Sequence, residues 1–220
     1  MYLVQAKPKD PSTLIDYAYQ DHVFAWRLMC PDGNSKARDF LFCRHRDAGG
    51  KPYLVILSAA APPSIEVEGW DLVVQHHDPK YVAGQKLSFY LRANPTYCSH
   101  QRYGHKRSDM VMGLVGKLQR ERRGEAVAST EFADIIRDAG LNWLGKKALA
   151  NGFSFAADEV TVREYHMIKF PHKRNNINLS SLTFEGVLTV EDPEKFLQAE
   201  ANGIGSAKGF GFGLMLTKAA

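Results

Sequence analysis

Tyr19 and His22 stand three residues apart in the stretch Tyr19-Gln20-Asp21-His22, and on a helix that spacing puts a phenol and an imidazole on one face. Imidazole, with an unperturbed pKa of ~6.5, has both protonation states within reach near neutrality, so the pair has the chemistry for moving a proton beside an anionic group. The same face reads Ile15, Tyr19, His22 and Trp26, a stripe that local pattern alone assigns to packing. Near the other end of the chain, the run from Gly203 to Gly213 carries five glycines in eleven residues: Gly203, Gly205, Gly209, Gly211 and Gly213. Bare backbone of this kind lets main-chain N–H groups approach phosphate oxygens.

Three nucleotide-binding motifs fail on this run. A dinucleotide fingerprint needs G-x-G-x-x-G between a strand and a helix; here Lys208 stands at the third glycine position, and a helix precedes the run instead of following it. No G-x-x-x-x-G-K precedes a Ser or Thr, and an acyl-CoA-type loop would meet Glu200 where it needs Arg or Gln. The local reading is a tight turn that packs the last strand against its neighbour, with Lys208 keeping an anion role open. A nucleotide-dependent enzyme is accordingly the third-ranked function class. No metal or cofactor is expected: His76 and His77 would face opposite ways on a strand, and His100 and His105 lack ligand partners. Cys30, Cys43 and Cys98 are odd in number and contain no C-x-x-C pair, which points away from disulfides and zinc and toward a reducing cytoplasm. No window approaches the roughly 18 apolar residues of a membrane span.

The net charge of +4 is concentrated. Between Cys98 and Gly124, seven basic residues face only Asp109 and Glu121, so this segment carries +5. Such clustering is what a nucleic-acid footprint looks like, although a solvated helix face accounts for many such runs.

Periodicity supplies the elements that must position these residues. Tyr2–Ala6 reads as a strand, and Thr13 with Asp16 starts a helix reaching about Met29. Asp39–Arg46 and Pro52–Ala59 make a hairpin across Asp47-Ala48-Gly49-Gly50. After an indistinct stretch, Lys86–Ala93 alternates as a strand. In the second half, Thr130–Ala150 is helical, Val160–Ile168 and Ile177–Val190 are strands, Pro193–Asn202 is a helix and Leu214–Thr217 is a last strand. The repeated alternation predicts an α+β chain of two tandem ferredoxin-like βαββαβ domains, residues 1–95 and 96–220.

Four stretches in order carry a more specific resemblance: Tyr19-Gln20-Asp21-His22, Leu91-Arg92-Ala93-Asn94-Pro95, Phe184 to Val190, and Gly203 to Leu214. Together they resemble the CasE-type CRISPR RNA endonucleases of type I-E Cascade, within the glycine-rich-loop repeat-associated protein superfamily. Leu141-Asn142-Trp143-Leu144 resembles the family's second-domain helix, whereas residues 108–129 are longer than the family pattern, so no role transfers to Lys117 through Arg123. The resemblance implies a metal-independent ribonuclease that cuts precursor CRISPR RNA at the 3′ base of the repeat stem-loop. It also implies that the enzyme keeps the mature guide RNA as a Cascade subunit beside the repeated backbone subunit. A noncatalytic RNA-binding scaffold of the same superfamily is the alternative. On this resemblance Tyr19 and His22 are catalytic, and Arg102, His105, Lys106 and Arg107 contact the stem. Lys169, His172, Lys173 and Arg174 sit on a hairpin entering its groove, and Lys208 lies in a glycine-rich loop near RNA. Arg92 either touches RNA or braces its strand, and bracing is the favoured reading.

Overall fold

The computed structural model describes residues 1–14, 18–31, 38–101, 104–172 and 175–220, with the side chains of residues 11, 18–19, 99–101, 104–106, 170–172 and 175–176 outside the description. Strand β1 (Tyr2–Pro8) leads through a 3₁₀ turn (Pro11–Leu14) to helix α1 (Ala18–Met29), followed by β2 (Phe40–Arg46), β3 (Pro52–Ser58) and β4 (Trp70–His76). Then come β5 (Lys86–Ala93), β6 (Thr96–Gln101), β7 (Gly104–Asp109), α2 (Met110–Glu121) and α3 (Ser129–Ala150). The chain finishes with β8 (Phe153–Ser154), β9 (Val160–His172), β10 (Asn175–Val190), α4 (Pro193–Asn202), a second 3₁₀ turn (Lys208–Phe210) and β11 (Met215–Ala219).

The first sheet has the order β2-β3-β1-β4 and the second β11-β5-β10-β8, with β9 also on β10; the described pairings in both are antiparallel. Leaving out the β6–β7 hairpin and the two-residue β8, so that the second sheet reads β11-β5-β10-β9, both sheets run fourth, first, third, second within their halves, the ferredoxin-like arrangement expected from the repeated alternation. One element changes sides. Lys86–Ala93, expected to close a first domain ending at residue 95, instead pairs with β10 and β11 at the centre of the second sheet. Periodicity identifies a strand but not its partner. The first sheet is closed by β4, which pairs with β1 from Tyr2↔His76 to Pro8↔Trp70. Its sequence looked indistinct because Asp71 and Gln75 share a solvent-facing edge with Val73, which is 48% exposed. The ladders therefore divide between His76 and Lys86. No helix forms in the stretch between β3 and β4.

Among the described residues, three apolar clusters hold the molecule together. Phe42, Leu54, Ile56, Ala25 and Leu28 join α1 to the first sheet. A larger cluster around Trp143, Leu144, Phe184 and Phe196 joins α3 and α4 to the second sheet. Between the halves, Leu41, Cys43, Val55 and Leu57 of the first sheet pack with Leu214, Tyr90 and Leu216. Cys43 is fully buried there, which pushes its thiol pKa up to about 12 and makes it inert.

Local chemistry explains the boundaries. Asp109 caps α2 by accepting from Met112 N at 2.7 Å, and Asp192 caps α4 through Lys195 N at 3.1 Å with Pro193 in the first turn. The basic run largely becomes α2 and its end: Lys117 pairs with Glu121 at 3.9 Å, and Arg122 forks onto Glu131 at 2.8 and 2.5 Å. These are exposed pairs of the solvated-face kind. The β9–β10 ladder shifts register between Ser181 and Thr183, near Glu164 with φ 58°.

The glycine run is bare because protein needs it bare. Gly213 has φ 86°, and a methyl there would lie 2.6 Å from the Ile204 carbonyl oxygen, which is well inside contact distance. Its own N–H is already committed to Arg92 O at 2.8 Å, and its carbonyl accepts from Ile204 N at 2.8 Å. Gly213→Ala is therefore expected to destabilise by at least about 1–3 kcal/mol, from left-handed strain plus the clash. Gly145→Ala, in a mid-helix position with open space around it, is expected to stabilise by about 0.5–1 kcal/mol. Thermal denaturation of the two variants checks the contrast; a Gly213→Ala protein as stable as the parent would contradict it.

Candidate active site

Helix α1 is fixed by a buried ion pair. Asp21 is 2% exposed, and it accepts from Arg44 on β2 through Nε at 3.0 Å and Nη2 at 2.6 Å. The remaining Arg44 Nη1 donates to the Leu14 carbonyl, which ties down the chain entering the helix. Burial pushes the Asp21 carboxyl above the usual carboxylate range, while Arg44 and, more weakly, Arg92 pull it back. One residue onward, a turn of about 100° carries His22 away from this anchor and toward the glycine run.

There the imidazole meets the second half of the molecule. His22 Nδ1 lies 2.6 Å from Gly209 O, its ring stacks on Phe210 at 5.7 Å with 28° between planes, and Trp26 meets its edge at 6.1 Å. A carbonyl only accepts, so Nδ1 carries the proton, and in the neutral ring the basic lone pair belongs to Nε2. In the described part of the stripe, Trp26 packs on Phe40 at 5.4 Å, while His22 is half-buried in the seam between the halves.

The glycine run threads that seam. Gly211 (φ 81°) lies against the Phe42 ring, where a methyl would come within 3.0 Å of the ring edge. Ser206 forms a bridge with Asn94, and its Oγ lies 3.0 Å from Thr96 Oγ1. The run is thereby joined to the base of the β6–β7 hairpin. Arg92 braces: its Nε donates to Ser181 Oγ at 3.0 Å and its guanidinium covers the Phe212 ring at 5.1 Å.

Those of the expected RNA-contacting residues that the structure describes fall on two antiparallel hairpins and one turn. Arg107 is exposed on β7, opposite Cys98, with His105 and Lys106 on the same strand and their side chains outside the description. Lys169 is exposed on β9 opposite Asn178. His172 ends β9, with its side chain outside the description. Arg102, Lys173 and Arg174 lie outside the described residues, as does the side chain of Tyr19, whose backbone is helical in α1. Tyr165 Oη donates to Asp109 Oδ2 at 3.2 Å, linking the two hairpins near their bases. Arg163, further back on β9, is paired with Glu185 at 2.5 Å.

The structure thus brings His22, Gly209 and Lys208 together from opposite ends of the chain. Sequence reasoning missed Arg38 and Lys147, which join them. Arg38 Nη1 would stand 3.4 Å from a methyl on Gly209, and Lys147 reaches over the Trp143 ring at 5.7 Å. Arg38 stands beside Asp39 and Lys147 beside Lys146, neither in a pattern that points to a site, and only the tertiary approach of the glycine run could mark them.

Comparison with known proteins gives a consistent result. Residues 1–218 match the family described as CRISPR associated protein. The Cascade subunit CasE of Escherichia coli K12 is 28% identical over 205 residues, covering 90% of this chain and 89% of that one. Among solved structures, Thermus thermophilus Cse3 bound to an RNA representing a pre-cleavage complex superposes with TM-score 0.68 at 19% identity, covering 99% of this chain and 98% of that one. Cas6e of E. coli K-12 superposes with TM-score 0.60 at 21% identity and full coverage of both chains.

The Asp21–Arg44 anchor predicts a pH-dependent defect. Arg44→Met leaves the Asp21 carboxylate buried and unpaired, at a cost of about 3–5 kcal/mol near neutrality. Loss of the guanidinium raises the folded-state pKa of Asp21 further above its unfolded value of ~3.9. The native state then holds the extra proton, so the penalty is full above the raised folded pKa and fades as pH falls toward the unfolded one. Urea denaturation of parent and variant between neutral and acidic pH checks this; a gap that widens on acidification would contradict it.

Proposed function

The chain belongs to the CRISPR-associated protein family, and from that membership we propose that it is a metal-independent endoribonuclease acting on precursor CRISPR RNA. The cut falls at the 3′ base of the repeat stem-loop, and the protein stays on the mature guide RNA as a cytoplasmic Cascade subunit contacting the repeated backbone subunit. The observation that carries this reading is the hydrogen bond between His22 Nδ1 and Gly209 O, which directs the exchangeable proton to Nε2 in a seam with a lysine beside it. Support comes from the similar CasE, named as a Cascade subunit, and from the similar Cse3, described as bound to RNA before cleavage.

RNA supplies its own nucleophile, so the protein's task is positioning and proton transfer. The 2′-hydroxyl oxygen bonds to the adjacent phosphorus while the bond to the departing 5′ oxygen breaks, leaving a 2′,3′-cyclic phosphate and a 5′-hydroxyl. The 2′ proton must leave and the 5′ oxygen must gain one. His22 Nε2 handles one of these transfers, a contribution typically worth ~10²- to 10⁴-fold. Tyr19, one helical turn earlier, orients the nucleophile or steadies developing charge, and the Lys208 amine opposes the negative charge on the phosphorane. Binding is shared among exposed cations of the hairpins, Arg107 and Lys169 among them, because an A-form stem is recognised chiefly through shape and phosphates.

Incubation with the repeat transcript from the source genome tests this. Cleavage is expected to proceed in EDTA, to stop with a 2′-deoxy substitution at the cut, and to fall by at least about 10²-fold in His22→Ala while hairpin binding persists. Loss of cutting in EDTA would refute the metal-free account. Tight binding by the parent protein without any product would select the scaffold reading.

A further inference from the structure

Three cations from three separate elements converge where the glycine run crosses the seam. Lys208 opens the 3₁₀ turn, Arg38 precedes β2, and Lys147 lies in the last turn of α3. Arg38 Nη1 is held close to Gly209, at 3.4 Å from where a side-chain carbon would begin. The Trp143 ring under Lys147 is pressed against Gly205, where a methyl would meet it at 2.9 Å.

Among the described residues none of the three makes a salt bridge, although eight other such pairs are formed. The arrangement is electrostatically unfavourable as it stands. Burial holds the Arg38 guanidinium below its usual range, and burial followed by Arg38 and Lys147 holds the Lys208 amine below its own. Partly desolvated like charges without a counter-ion are a configuration that an anion completes. Gly209 is the shared wall: its carbonyl receives the His22 proton, and Arg38 stands at its Cα. An anion seated among the three cations is therefore adjacent to the reacting imidazole.

Resting on the ribonuclease reading, we propose that Arg38, Lys147 and Lys208 together form a seat for one backbone phosphate of the RNA strand, at or next to the bond that is cut. Arg38 serves as its fork-shaped donor. The seat makes the two halves one binding surface, since Arg38 belongs to the first and the other two to the second.

The test uses the full-length protein and a repeat hairpin carrying a 2′-deoxy nucleotide at the cut, with affinity measured across a salt series. Arg38→Gln, Lys147→Gln and Lys208→Gln are each expected to weaken binding about tenfold and to lower the slope of log affinity against log salt by about 0.7–0.9. Arg38→Lys, which keeps the charge, should retain the slope and so separates loss of charge from loss of fold. A single methylphosphonate at one position flanking the cut should weaken the parent about tenfold and leave Arg38→Gln nearly unaffected. If the parent binds this hairpin and cuts its all-ribose counterpart while the Gln variants match it in affinity and slope, the seat is refuted and the nuclease reading stands. Equal methylphosphonate sensitivity of parent and variant at every position refutes it too. A parent that fails to bind the hairpin overturns both.

Discussion

The hydrogen bond from the His22 ring to the Gly209 carbonyl is the contact on which the architecture of the site turns. Its partners are 187 residues apart in sequence, and they meet only because two separately closed sheets dock with the glycine run between them. A histidine on a helix rotates among several rotamers, and either ring nitrogen can hold the proton. One carbonyl removes much of that freedom. The bond also makes the chemistry of the first half conditional on the folding of the second.

Two further contacts keep that geometry from drifting. Beneath His22, the Asp21–Arg44 fork sets the depth and rotation of α1 on its sheet. Beyond it, Gly213 anchors the far end of the run to the central strand through Arg92 O. A second tether joins the halves on another side, where His77 Nε2 lies 3.1 Å from Glu200, a residue 4% exposed. Side chains at Gly211 or Gly213 would displace the carbonyl that receives His22. The bareness of the run is thus a packing requirement first, and its role beside an anion follows from where packing leaves Lys208.

Much of this was legible in the sequence, and the gaps have physical causes. The hairpin β2–β3, helices α3 and α4 and the long strands announced themselves by period and by turn chemistry, because their burial is one-sided or their ends are capped. Strand β4 did not, since it lies at a sheet edge with polar residues among its apolar ones. The partner of β5 was misjudged because alternation reports a pleated strand and is silent on whose hydrogen bonds it makes. The Tyr19–His22 pair and the glycine run were visible separately, and Lys208 was marked as a cation inside a turn. Arg38 and Lys147 carried no local signal. Charges become a site through approach, and approach is a tertiary property.

The most direct measurement of the central claim is the tautomer of His22 in the folded protein, read from long-range ¹H–¹⁵N correlation spectra with specifically labelled histidine across its titration. The account predicts that in the neutral ring Nδ1 carries the proton and Nε2 the lone pair. A neutral ring protonated at Nε2 would contradict it, because the ring would then offer the Gly209 carbonyl no donor.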